Sequence, residues 1–456
     1  MNLWAEFDDN PDASLPSSRQ PHERRLTDYA VQASVRDWLL HDYAAAYCRS
    51  LAATRIFRRC YWVEAPGTGA RMPANTAPEG ARESKRASQA PLMAPMEGLS
   101  EPGSPINLAP AGVRPEKGRP KAIKQDVPST LQSIKELSQV LARESRPITL
   151  HGLILEAGSS KRGAAKMEQK GQKAAARELI IPKEGGLVRA GWSEAAPVLL
   201  STIDQAAAIF LLSPFGKTIF SYEDLAPLYT RTAPTELCLL ISHKQVQTGL
   251  LPSLRTRAGA SAFTTLLRND RWKVLLADNF ETEQSIDGLI NALMSSMQQH
   301  FLTVQRIALP MQVRPAVIEL APYTLIFATR RQDSLTCMND AVCINGRRLD
   351  RQSHRGVLME DWFEKQQQER HAEQFELLYE RILQAGRTQR TRRWPELRQR
   401  LLLANFGQYT LNDYDDVIAR LLSSGRVQCE WRQRSPITTD TEERRIPGNE
   451  DTLLWK

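Results

Sequence analysis

The chain has 456 residues, enough for two or three folded units at roughly 150 residues per domain. Hydrophobic residues make up 41%, an ordinary globular share that excludes wholesale disorder, and no apolar run nears the ~20 residues that span a bilayer. The formal net charge of +8 is gathered in two places: residues 158–180 carry six basic and two acidic side chains, and residues 381–400 carry seven arginines and one glutamate. Such patches suit phosphate backbones, and solvated helix faces equally. The acidic N-terminal stretch lacks an apolar signal core, and six scattered cysteines form no CxxC pair. A cytoplasmic protein with reduced thiols is expected, without a zinc ribbon or a disulfide framework.

Residues 1–21 read as a tail. Apolar spacing then predicts a helix over 26–53 and a strand over 56–63. Residues 70–128, crowded with Pro, Gly, Ala and Ser, read as an insertion. A helix over 129–144, with Ser129 as its N-cap, and a strand over 148–155 ending at Glu156 follow. A basic helix is expected around 161–179, another helix after Gly191 and Trp192, and an apolar strand over 206–212 that stops at Ser213. A helix over 222–229, a buried strand over 236–242 and mainly helix over 264–304 come next. A strand over 323–329 is expected to pair with 307–320 at a sheet edge. Nearly all-apolar strands alternating with helices indicate an α/β fold: a Rossmann-like parallel sheet covered by helices on both faces, over 22–365. After the glutamines at 366–368 the character changes. Helices over 373–384, 394–403 and 410–422, the last with Thr410 and Asp413 as a capping box, precede strands over 427–431 and 452–455. Three helices and a hairpin predict a winged-helix domain over 370–456.

In open α/β sheets ligands bind beyond the carboxyl ends of the strands. Glu64, Gly67 and Gly69 follow the first strand, Glu156 ends the second, Trp192 lies beyond it, and Ser213, Pro214 and Phe215 end the apolar strand at 206–212. Glycines let backbone approach a ligand, a carboxylate accepts both hydroxyls of a ribose, and an indole stacks on a purine. That order suits S-adenosyl-L-methionine (SAM). Glu156 reads equally as a solvated strand end, and Trp192 and Phe215 as core. Arg162, Lys166, Lys170, Lys173 and Arg177 share one helical face that could track a nucleic-acid backbone or simply face water. Three carboxylates at the start of the 410–422 helix would repel phosphates, so Arg390, Arg392 and Arg393 are the better backbone contacts, or else contacts to a protein. No histidine–cysteine spacing suggests a metal, and no P-loop is present.

VEAPGTG at 63–69, EPGSP at 101–105, Glu156, SPFG at 213–216, Arg271-Trp272, PTE at 234–236 and YTLIFAT at 323–329 together resemble the three-Cys-motif partner (TcmP) family. The resemblance spans roughly residues 22–345 and implies a SAM-dependent methyltransferase-like protein, bacterial, working beside a partner protein. It assigns the methionine portion to Glu64, Gly67 and Gly69, the ribose to Glu156, the adenine to Trp192, and the methyl acceptor to Ser213, Pro214 and Phe215. Two departures stand out: Val63 and Ser213 occupy positions where the family carries aspartate. Both remove charge, so a catalytically degenerate binding or assembly module of the same fold is the alternative. Neither membrane nor metal is expected among the partners; nucleic acid is.

Overall fold

In a computed structural model, the described residues are 28–65, 127–156, 179–215, 220–277, 283–314, 317–389, 391–432 and 445–456. Seven strands form one mixed sheet: β1 (Arg59–Ala65), β2 (Thr149–Leu155), β3 (Gly186–Val188), β4 (Ala207–Leu212), β5 (Thr235–Ser242), β6 (Thr303–Arg314) and β7 (Val317–Thr329). Their order is β3-β2-β1-β4-β5-β7-β6, and β1 to β5 run parallel. Only residues 315–316 separate β6 from β7, so these neighbours run antiparallel. Every residue of β4 and β5 is buried, as strands covered on both faces require. This is a Rossmann-like α/β sheet flanked by helices.

The helices are α1 (Asp28–Trp38), α2 (Ala45–Ala53), α3 (Val127–Ala142), α4 (Trp192–Thr202), α5 (Tyr222–Thr230), α6 (Arg257–Leu267), α7 (Trp272–Ala277), α8 (Glu283–Met297), α9 (Gln332–His354), α10 (Glu360–Gln389), α11 (Trp394–Ala404) and α12 (Leu411–Ser423), with shorter turns between. On one sheet face Tyr61, Val63, Leu153, Phe210 and Leu239 pack with Trp192 and Leu199 of α4, Leu228 of α5, Phe263 of α6 and Leu289 of α8. The other face takes α3. There Gly152 is the contact point, because a Cβ would lie 2.6 Å from Ile134 Cδ1.

The chain divides into two units. One comprises Cys48–Val304 and Ile326–Arg330; the other comprises Gln305–Leu325, Arg331–Lys456 and the described part of Met1–Tyr47. In the second, α9 packs on a π-helical turn, Leu39–Ala44, that joins α1 to α2. Tyr43 Oη lies 2.9 Å from Ser334 Oγ, and Arg348 grips Asp42 through both carboxylate oxygens at 2.7 and 2.9 Å. Fully buried Asn339 clasps the chain before α12, donating to the Tyr409 carbonyl and accepting from the Gly407 N–H, both at 2.8 Å. Helices α10 to α12 precede an antiparallel hairpin of β8 (Val427–Glu430) and β9 (Thr452–Trp455).

Several expectations need adjusting. The single helix over 26–53 is α-helix, π-turn and α-helix, and α3 starts at Val127, two residues before Ser129. Residues 317–320 belong to β7 itself and not to its partner strand. Residues 366–370, where the character of the sequence changes, lie inside α10, which runs for 30 residues. Thr410 caps α12 as expected, with the reciprocal Asp413 bond in place, and Gly425 follows at φ 69°. All six cysteines carry free thiols.

Candidate functional site

Parallel register brings the sequence-predicted strand ends onto one rim. Glu64 pairs with Ile154 of β2 and Leu211 of β4, and Ala65 with Leu212. Glu156 therefore lies two residues past the partner of Glu64 on one neighbour, and Ser213 lies one past the partner of Ala65 on the other. The Ser213 N–H donates to the Ala65 carbonyl at 3.3 Å, and the Glu156 N–H to the Val188 carbonyl at 2.8 Å. Adjacent strands are about 4.8 Å apart, so these three residues occupy neighbouring places on the carboxyl rim. The order reverses between β1 and β4, the switch point where open α/β sheets take ligands. Glu64 is 4% exposed and Ser213 is 7% exposed, whereas Glu156 is half-buried. Gly67, Gly69 and the motif at 101–105 lie outside the described residues.

The structure buries two of the aromatic candidates. Trp192 is 2% exposed: its ring stacks on Phe220 at 6.4 Å, meets Phe210 edge-on at 6.0 Å, and its Nε1 donates to the Asp224 carbonyl at 2.9 Å. No face remains for adenine. Phe215 is 3% exposed and packs on Phe263 at 6.3 Å, with Pro214 buried beside it. Burial of apolar rings is the stronger force here, and both residues serve the core.

Other motif residues build the frame. The Pro234-Thr235-Glu236 segment opens β5 on the opposite rim. Buried Arg231 clamps that rim by donating to the carbonyls of Ile203 (2.6 Å), Ala206 and Pro234 (3.2 Å) and to Thr235 Oγ1 (3.0 Å). Trp272 Nε1 donates to Thr264 Oγ1 at 3.1 Å, fixing α7 to α6. Sequence reasoning passed over His243, half-buried directly after β5 on the same rim as Ser213. Its signal was a polar residue ending an unbroken eight-residue buried strand.

For the basic residues, Arg162, Lys166, Lys170, Lys173, Arg177 and Arg390 lie outside the described residues. Arg392 and Arg393 are exposed, and Arg393 reaches Glu396 only at 3.7 Å. Arg398 is instead bound to Asp415 at 2.7 and 2.9 Å. Among the described residues no helix is long and apolar enough to cross a membrane. Among them, too, no group of three or more His, Cys, Asp or Glu is placed to hold a metal. Comparison of the chain with protein-family models, curated proteins and solved structures finds no match in any of the three.

Proposed function

We propose that this is a SAM-dependent methyltransferase-like protein acting on or with nucleic acid. The observation that carries the reading is the meeting of Glu64, Glu156 and Ser213 where strand order reverses. The order itself supports it: β3-β2-β1-β4-β5 follows the Rossmann order 3-2-1-4-5-6, with β7 lying between β5 and β6. The residues fit a nucleoside with a charged tail in part. Half-buried Glu156 suits a ribose diol, and the Glu64 carboxylate with the glycines at 67 and 69 suits an amino-acid portion. The adenine platform falls to a residue other than Trp192. When bound, SAM would supply an electrophilic methyl group. The protein's share would be to hold donor and acceptor in line. Ser213 on the acceptor side is neutral and a weaker acceptor for a developing cation than a carboxylate.

The second reading is a catalytically degenerate module of the same fold that works with a partner enzyme. It is favoured by Val63 and Ser213, where charge is missing, and by Phe215, whose ring is committed to the core. Calorimetry with SAM and S-adenosylhomocysteine tests the cofactor. Transfer from labelled SAM to DNA, RNA and protein pools then separates enzyme from module. The C-terminal helices and hairpin are read as a winged helix on their order alone.

A further inference from the structure

We propose that the C-terminal region holds the backbone of a duplex nucleic acid at the foot of its β-hairpin, and not through its third helix. This rests on the reading that the chain works with nucleic acid, and it names where and in what form.

The third helix, α12, is committed to packing. Tyr414, Val417, Ile418 and Leu421 are buried. Asp413 takes Arg347 of α9 at 2.5 Å as well as its own cap. Asp415 accepts from Arg398 and from Trp394 Nε1 at 3.0 Å. Arg420 meets Glu376 at 2.5 Å and lies over the rings of Phe375 and Tyr379. A helix whose charged side chains are spent inside its own unit has little left to offer base edges in a groove.

Around β9 the situation is opposite. The backbone of this strand gathers arginines that are far apart in sequence. Leu453 N–H donates to the Arg392 carbonyl at 2.7 Å, Lys456 N–H to the Arg426 carbonyl at 3.1 Å, and Arg387 Nε to the Lys456 carbonyl. At the other end of the hairpin, the Arg432 N–H donates to Asp451 at 3.0 Å, and Arg445 lies 4.0 Å over the Trp431 ring. Arg387, Arg392, Arg393, Arg426, Arg432 and Lys456 are all exposed. From 426 to 432 the chain covers roughly 20 Å in extended form, the length of several phosphates on a duplex.

The chemistry fits a duplex better than a single strand. Unpaired bases need open aromatic faces. Trp455 lies over Gly386, where a Cβ would come within 2.4 Å of its ring, and its Nε1 donates to the Thr391 carbonyl at 2.9 Å. Arg445 covers one face of Trp431. Trp431 keeps 37% of its surface exposed, one ring against the five exposed guanidinium groups of Arg387, Arg392, Arg393, Arg426 and Arg432, and guanidinium recognises phosphate.

The test is fluorescence anisotropy of the full chain with a labelled DNA duplex, an RNA duplex and the matched single strand, between about 50 and 200 mM salt. Arg392→Gln with Arg426→Gln should weaken duplex binding about tenfold and lower the log–log salt slope by about two. Arg351→Gln with Arg355→Gln removes the same charge near the end of α9 and should leave the slope unchanged. Should the first pair lower the melting temperature, Arg393→Gln replaces it, with a slope loss of about one expected. Equal loss in the control pair, preference for the single strand, or no duplex binding at low salt would overturn the proposal. A SAM titration of the same sample keeps the two readings apart. Duplex binding without SAM binding removes only the cofactor, and SAM binding without duplex binding removes only this surface.

Discussion

Trp192 shows how far a residue's role can be read from its place in the chain. Its position at the start of a helix was legible, but the direction of its ring was not, because Phe210, Phe220 and Asp224 are brought to it by tertiary packing. Trp192→Ala should cost about 3–5 kcal/mol, the range for truncating a buried large aromatic, and should appear as a lowered denaturant midpoint. Normal stability with lost SAM binding would instead return the indole to the ligand. His300 offers a second single-residue test. It stacks on Tyr229 at 4.3 Å, and its Nε2 is buried without a hydrogen-bond partner. Burial first, then the charges of Arg268 and Arg330, push its imidazole below its ordinary value. A depressed folded pKa means that the unfolded chain takes the proton first. The His300 contribution is therefore complete above the ordinary value near 6.5, and is lost as pH falls through it toward the folded pKa. Urea midpoints between about pH 7.5 and 5.5 should fall for the wild type, and fall less for His300→Phe. Parallel slopes would place the acid sensitivity elsewhere.

At the scale of elements, the long buried strands were legible because a strand covered on both faces is an unbroken apolar run. Edge strand β3, three residues long, left no such run. Helix α9 and the first half of α10 were hidden for another reason. The start of α10 is largely exposed, and Arg347 and Arg348 of α9 pair with Asp413 and Asp42, remote in sequence, so local periodicity reads as polar. The glutamines at 366–368 suggested a break where the chain runs on as an exposed helix. The Thr410 cap was legible because its capping box is local, unlike the cap expected at Ser129: Thr410→Ala should cost about 1 kcal/mol in thermal or denaturant unfolding. Gly386→Ala should cost more, about 1–3 kcal/mol, because the new Cβ would meet the Trp455 ring and push β9 off α10. Trp fluorescence would report that displacement. An unchanged spectrum and midpoint would show that Trp455 moves aside at no cost.

For the whole molecule, the strand pattern implied an α/β sheet, while its order had to come from the structure. Sequence alone places Glu64, Glu156 and Ser213 at 64, 156 and 213, and the parallel register β2-β1-β4 brings them side by side. The division into units was not legible, because one unit is assembled from three separated stretches of chain. The cofactor reading depends on whether that shared rim takes a nucleoside. Isothermal titration of the full chain with S-adenosylhomocysteine, beside Glu156→Ala, tests this most directly. The account predicts saturable one-site binding near micromolar Kd, weakened tenfold or more, about 1.4 kcal/mol, when the half-buried carboxylate is removed. Absence of heat with the wild type, or equal affinity in the variant, would contradict it.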